Sequence, residues 1–442
     1  MLNASLRESL ARGVYALLLR LLQPAYVLRL WLRGRAEPLY RERLFERFGV
    51  YPEAPSAGWV WLHAVSLGET RAAAALVDAL RDERPGLRLL LTHGTATGRA
   101  AGRELLRDGD HQTWLPYDTP GATRRFFAQF RPAIGVLMET EVWPNLLLAA
   151  QAATVPMVLA NARLSAKSFA RGQRFGAVLR PAIDSVALVL AQTEDDAQRI
   201  RASGARVVEV AGNLKYDLTP DAAQLAQGAA WQALLRQMPA PRGVVLAAIT
   251  REGEEALLLD AWQRTPHGDA LLVIVPRHPQ RFDEVAAMVR AAGFTLARRT
   301  GWHDTPPADA LQTQVWLGDS MREMALYYAT AQVALLGGSF APLGGHNLIE
   351  AAACGCPLVM GPSTFNFSEA AELSLAAGAS LRVADMVAAV TTANELMTAS
   401  GRRELVSGNA LRFASQHRGA ARRMAKRIGP MASSHALPLG PA

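Results

Sequence analysis

Glu69 closes the segment His63-Ala-Val-Ser-Leu-Gly-Glu69, which directly follows an apolar run at 59–62. Ser66 and Gly68 permit a tight turn there, and Glu69 then opens a helix expected to reach about residue 84. The dipole of a helix start favours an ionised carboxylate, and an ionised carboxylate can take a proton from a hydroxyl. The plain alternative is a carboxylate that only steadies its own helix. Met138-Glu-Thr-Glu-Val-Trp-Pro-Asn145 follows a second apolar run, 134–138, and carries Glu139 and Glu141. Residue chemistry does not choose between these two, and one of them is expected to be structural, buried against Arg163. Gly212-Asn-Leu-Lys-Tyr-Asp217 carries Lys215. Of 47 basic residues only Lys167, Lys215 and Lys426 are lysines, so a lysine within the fold invites a functional reading. An ammonium there can offset the charge of a departing phosphate.

The phosphate itself has two candidate binders. Gly337, Gly338, Gly344 and Gly345 separate an apolar run at 333–336 from a helix expected to start near Asn347. Amide groups at such a start hold phosphate, and Glu350, about one turn in, can accept hydrogen bonds from ribose hydroxyls. The structural alternative is an ordinary glycine-rich strand-to-helix turn. Pro276-Arg277-His278-Pro279 closes the run 270–275 and puts a guanidinium at the strand end, where it suits a phosphate; the alternative is a salt-bridged loop arginine. Asp108-Gly-Asp110 has the acidic spacing of metal-dependent sugar transferases, yet it lies in a polar loop and reads as a solvated turn. Cys354 and Cys356 are too close in sequence for an unstrained bridge, and no further cysteine completes a zinc set. They read as buried thiols of a reducing compartment. No metal site is expected.

The elements that must position these groups form two series. Apolar runs at 59–62, 87–92, 134–138, 157–160, 186–191 and 207–210 alternate with amphipathic helices, the pattern of a parallel sheet covered on both faces. A polar stretch, 217–242, reads as an inter-domain linker. Runs at 243–248, 270–275, 315–317, 333–336 and 357–360 then repeat the scheme. A chain of 442 residues is long for one core, and with 50% hydrophobic and 19% charged residues it is globular, not disordered. The net charge of +8 favours anionic partners. The basic helix 411–428, with Arg422, Arg423, Lys426 and Arg427, lacks any nucleic-acid reader motif and reads as solvated or lipid-facing; no nucleic-acid partner is expected. At the N-terminus, Arg20, Gln23, Pro24 and Arg29 interrupt the apolar stretch 12–35, leaving no span of membrane length and no signal peptide. Regular arginines with Tyr15, Tyr26 and Trp31 suggest a helix lying among anionic headgroups. A helix docked on the protein's own core and a short span are the alternatives.

Taken in order, these motifs resemble the Kdo (3-deoxy-D-manno-octulosonic acid) transferases of Gram-negative lipopolysaccharide synthesis. The resemblance runs from Leu30-Trp-Leu-Arg-Gly-Arg35 to Phe367. It is carried by 63–69, Leu115-Pro-Tyr-Asp118, 138–145, 160–165, 212–217, Glu252-Gly-Glu-Glu255, 276–278, 344–350 and Gly361-Pro-Ser-Thr-Phe-Asn-Phe367. It implies an α/β fold of GT-B type, two Rossmann-like doubly wound domains facing a cleft. Residues 1–35 would be a membrane-associating helix, 36–216 the acceptor domain, 217–242 the linker, 243–428 the CMP-sugar domain with the C-terminal helix, and 429–442 a disordered tail. The implied activity is inverting transfer of Kdo from CMP-Kdo to a lipid A precursor (lipid IVA), without metal or cofactor, on the cytoplasmic face of the inner membrane. The resemblance makes Glu69 the base and Glu139 and Lys215 transition-state stabilisers, selecting Glu139 over Glu141. It puts CMP contacts on Pro276, Arg277, Met321, Arg322, Glu323, Asn347, Leu348, Ile349 and Glu350. Three positions depart from the family pattern: Arg251 stands for a common histidine, Leu348 for a frequent proline and Arg322 for a glycine. Another GT-B lipid glycosyltransferase, a nucleotide-sugar epimerase and a non-enzymatic basic membrane-binding protein are the competing readings.

Overall fold

The computed structural model describes residues 4–434 and divides into two compact units. The first holds the chain up to Asp217 together with the residues from Arg418 onward; the second is Leu218–His417. In the first, β1 (Val60–His63), β2 (Leu89–His93), β3 (His111–Trp114), β4 (Ile134–Met138), β5 (Met157–Ala162), β6 (Leu188–Ala191) and β7 (Val208–Val210) form one sheet. Its order is β3-β2-β1-β4-β5-β6-β7, parallel throughout. Successive side chains feed opposite cores: Val60, Leu62, Leu89 and Leu91 pack on one face, Trp61 and Leu90 on the other. Two-faced burial is why the central strands read as continuous apolar runs.

The second unit repeats the plan with β8 (Val244–Thr250), β9 (Leu271–Pro276), β10 (Leu296–Arg298), β11 (Val315–Leu317), β12 (Val333–Leu336), β13 (Leu358–Met360) and β14 (Ser380–Arg382). The order β10-β11-β9-β8-β12-β13-β14 is again parallel. Each sheet therefore changes winding direction once, between β1 and β4 in the first and between β8 and β12 in the second. Crevices at such switch points, beyond the carboxyl ends of the strands, are where doubly wound sheets bind ligands.

Four sequence expectations are corrected. The C-terminal helix Ala420–Ser434 belongs with the first unit, not the second, and is not wholly solvated or lipid-facing. Ala421, Met424, Ala425, Ile428 and Ala432 recur at helical spacing and are buried in the core that includes Leu76 and Leu80 of the helix Leu67–Glu83. The Asp217 carboxylate accepts from Gly419 and Ala421 N–H at 2.5 Å each and so caps this helix from the first unit. Residues 429–434 are thus helical where a disordered tail was expected; 435–442 lie outside the described residues. The stretch 217–242 is not a bare linker, since it contains the helix Ala222–Arg236, capped by Asp221 and packed on Met324–Thr330. A Cβ at Gly228 would meet the Leu326 carbonyl at 2.3 Å, so the contact requires glycine. Asp110 is no solvated turn residue: it is buried, paired with Arg81 at 2.5 Å, and accepts from Leu89 N–H at 2.7 Å.

The N-terminal helix, Ala4–Arg33, docks one side on the first unit. Tyr15 Oη donates to Asp118 at 2.8 Å, Tyr26 lies against Tyr117, and Leu30 is buried. The opposite side exposes Leu6, Leu10, Val14, Leu17, Leu21 and Leu28. Among the described residues no helix is long and apolar enough to cross a membrane.

Candidate active site

Glu69 follows β1 and Glu139 follows β4, so the first sheet brings them together at its switch point. Ser66 caps the helix Leu67–Glu83. Its Oγ accepts the Glu69 N–H at 3.3 Å and donates to Glu69 Oε1 at 3.0 Å, while Val65 N–H donates to Oε2 at 2.7 Å. Glu69 thus reaches back to the residue before the cap, much as in a capping box, and steadies its helix while its half-buried carboxylate lies beside other charges. Burial raises the Glu69 carboxyl above its ordinary value and outweighs the expected dipole effect; the Val65 N–H opposes the shift and the charge of Glu139 adds to it. A base lifted toward neutral pH accepts a proton more readily. Glu139 itself sits at φ 56°, a left-handed conformation that non-glycine residues adopt at a cost. Glu141 is pushed up to about 7, by burial first and by Glu69 next. Its Oε2 accepts from the Trp143 indole N–H at 2.7 Å, so tryptophan holds it, and Arg163 is exposed instead of burying a carboxylate.

Lys215 starts from the far edge of the sheet, after β7. The segment 212–217 then runs back across the strand ends: Asn213 Nδ2 donates to Gln192 Oε1 at 2.9 Å, and Leu214 N–H donates to Asn161 Oδ1 at 3.0 Å. Gln192 follows β6 and Asn161 lies in β5, so each hydrogen bond steps the chain closer to β4. Lys215 ends within electrostatic reach of Glu139. Burial lowers its ammonium below the ordinary value, Glu139 opposes this, and Arg163 adds to it.

In the second unit the candidates again gather at carboxyl ends: Pro276 and Arg277 after β9, Met321, Arg322 and Glu323 after β11, and Asn347 to Glu350 after β12. Pro276 is buried and Arg277 exposed. The His346 imidazole is pushed down to about 4, chiefly by burial and then by Arg277, Arg251 and His278 nearby. Met321 is exposed, whereas Glu323 is held by Arg299 at 2.8 Å and by Ser320 at 2.5 Å. Leu348 and Ile349 side chains are buried in the fold, so only their backbone can meet a ligand. The Ile349 N–H is already taken by Asn347 Oδ1 at 3.2 Å. The glycine turn is less open than expected. Buried Glu254 accepts from the N–H groups of Gly338 (2.7 Å), Phe340 (3.0 Å) and Ala341 (3.3 Å), and Gly344 N–H goes to Ser363 Oγ at 3.0 Å. Among the described residues no group of three or more His, Cys, Asp or Glu is placed to hold a metal.

Comparison with known proteins addresses the family. The family model described as 3-deoxy-D-manno-octulosonic-acid transferase (kdotransferase) matches residues 42–218. The 3-deoxy-D-manno-octulosonic acid transferase of Bordetella pertussis is 46% identical over 94% of this chain and 98% of its own length. That of Haemophilus influenzae is 33% identical over 95% and 98%. The chain belongs to the Kdo transferase family. Among solved structures, UDP-GlcNAc 2-epimerase from Neisseria meningitidis bound to UDP-GlcNAc aligns over 85% of this chain and 99% of its own. Its TM-score is 0.54 at 15% identity, a likeness of fold alone. The two parallel seven-stranded sheets are accordingly of GT-B type.

For this Kdo transferase, the residues that reading the sequence missed are those that brace the site. Glu254 stands out in the sequence only as part of a motif, because its partners in the glycine turn lie 84 positions or more away. Asn161 and Gln192 carried no signal of their role in steering Lys215. Ile249, at φ 60° beside a break in the β8–β9 register, could not be foreseen either. Its carbonyl lies 2.2 Å from where a Cβ of Gly337 would stand, which explains that glycine.

Proposed function

We propose that this Kdo transferase moves Kdo from CMP-Kdo to a lipid A precursor with inversion at the anomeric carbon, on the cytoplasmic face of the inner membrane. The observation that carries this reading is the approach of Glu69, raised by burial, to Glu139 at the β1–β4 switch point. An acceptor hydroxyl gives its proton to Glu69 as its oxygen attacks the anomeric carbon. The bond from that carbon to the phosphate oxygen breaks, and CMP leaves with the bonding pair. Lys215, held in place through Asn161, Gln192 and Glu139, offsets developing negative charge. Arg277 and the backbone from Asn347 to Glu350 bind the cytidylate in the second unit, with Met321, Arg322 and Glu323 completing the nucleotide contacts. No cofactor is required by this scheme. The N-terminal helix supplies the membrane contact through its exposed leucines.

General base assistance contributes about 100- to 10,000-fold. Glu69→Gln is therefore expected to lower Kdo transfer by about that factor while CMP still binds, measured by product mass spectrometry and CMP titration. Wild-type transfer by the variant would refute the assignment. Release of CMP without lipid would instead favour an epimerase-like reaction, and a preference for a uridine nucleotide another GT-B glycosyltransferase.

A further inference from the structure

A cavity of about 660 Å³ opens in the second unit at the carboxyl ends of β12, β13 and β14, apart from the residues assigned to the nucleotide. Its walls are the tip of the glycine turn at Phe340, the segment after β13 containing Ser363, Thr364 and Phe365, and Arg382 at the end of β14. The volume falls in the range of small-molecule sites. The walls are braced: Ser339 Oγ accepts from Gly361 N–H at 2.8 Å, and its carbonyl accepts from Ser363 N–H at 3.0 Å.

We infer that this cavity holds the eight-carbon sugar acid of the donor, with Arg382 binding its carboxylate; the inference rests on the function proposed above. Phe365 is 63% exposed and offers a flat apolar face to the C–H side of a sugar ring. Ser363 Oγ accepts from Gly344 and Thr364 Oγ1 from Arg382 at 3.0 Å, so each hydroxyl keeps its own proton to donate to a polyol. Arg382 meets Glu372 at 2.8 Å, but that carboxylate is 65% exposed, and an exposed pair is weak enough for a ligand carboxylate to displace. A guanidinium grips such a carboxylate with two parallel hydrogen bonds. Position agrees with chemistry. In a CMP-linked 2-keto sugar acid the carboxylate and the phosphate share one carbon, so their binders must adjoin. Ser363 fulfils this by bonding Gly344, in the turn that leads to Asn347.

The test compares CMP-Kdo with CMP, which lacks the sugar. Losing a hydrogen bond to a charged group amounts to about tenfold to a hundredfold in affinity. Arg382→Gln is expected to raise KM for CMP-Kdo by about that factor and leave the inhibition constant of CMP unchanged. Phe365→Ala, at an exposed position that does not threaten folding, is expected to shift KM in the same direction. Equal weakening of CMP by both variants, or an unchanged KM in either, overturns the inference. A wild-type enzyme that fails to transfer Kdo defeats the functional reading and this inference with it; an active wild type with unaffected variants defeats this one alone.

Discussion

At Glu69 two influences oppose each other, burial and the negative charge of Glu139 against the Val65 and Ser66 hydrogen bonds, and the raised carboxyl shows that burial wins. The base role proposed for Glu69 needs the ionised form, so activity is expected to fall as pH drops through that raised value, placing the acid limb above the ordinary glutamate range. Glu139→Gln removes a like charge that disfavours ionisation. Its residual activity is expected to show an acid limb at lower pH than wild type in a kcat/KM profile; an unmoved limb would separate Glu69 from the titration. Arg322 illustrates a different constraint. The family pattern places glycine there, and the structure gives Arg322 a φ of 67°. A side chain in that region costs about 1–2 kcal/mol, while glycine loses about 0.4–1 kcal/mol through the freer unfolded chain. Arg322→Gly is expected to stabilise the second unit by up to about 1 kcal/mol, read from the urea midpoint. A destabilised variant would show that the arginine side chain contributes contacts exceeding its strain.

The central elements were legible because a strand buried on both faces writes an uninterrupted apolar run: β4, β11 and β12 have the bounds expected from sequence. Of the edge strands only β7 was expected, as the run 207–210; β3, β10 and β14 were not. β10 is only partly buried, β14 ends on exposed Arg382, and β3 begins His111-Gln112, so none carries the two-faced pattern. Glu69, Arg277 and the pair Glu139 and Glu141 were visible because they follow apolar runs closely, whereas Met321, Arg322 and Glu323 came from the resemblance alone, and the braces depend on contacts between distant segments that no local pattern encodes. The C-terminal helix shows the same limit. Its basic face dominated the sequence reading, but Met424 and Ile428 decide where it packs. Met424→Ala is expected to destabilise the first unit by about 2–5 kcal/mol, and Asp217→Ala by about 1 kcal/mol through the lost cap. Denaturant unfolding followed by a first-unit tryptophan probe would check both; a helix that merely lay on the surface would leave the transition in place.

For the molecule as a whole, the proposed membrane contact would draw on both the net charge of +8 and the N-terminal helix. Tyr15, Tyr26 and Leu30 fix one side of that helix to the first unit. This turns Leu6, Leu10, Leu17, Leu21 and Leu28, at helical spacings of four and seven, away from the protein. Arg7, Arg20 and Arg29 fall on the margins of that stripe at 3.6 residues per turn, where long cationic stems can reach headgroups while the leucines enter the acyl boundary. Two separable contributions follow. Anionic lipid attracts the arginines at about 1 kcal/mol each and is screened by salt; leucine burial is not. Changing Leu10, Leu17 and Leu21 together to serine leaves the docked face untouched, so the fold should survive. Each leucine buried from water is worth about 1.5–3 kcal/mol, and even partial insertion of three makes a loss of at least about a hundredfold in vesicle affinity. In a flotation assay with phosphatidylglycerol vesicles, wild type should bind and lose only part of its affinity in high salt, while the triple variant should stay in solution under both conditions. Undiminished binding of the variant would assign membrane contact to the arginines alone and leave the exposed leucine stripe without that role.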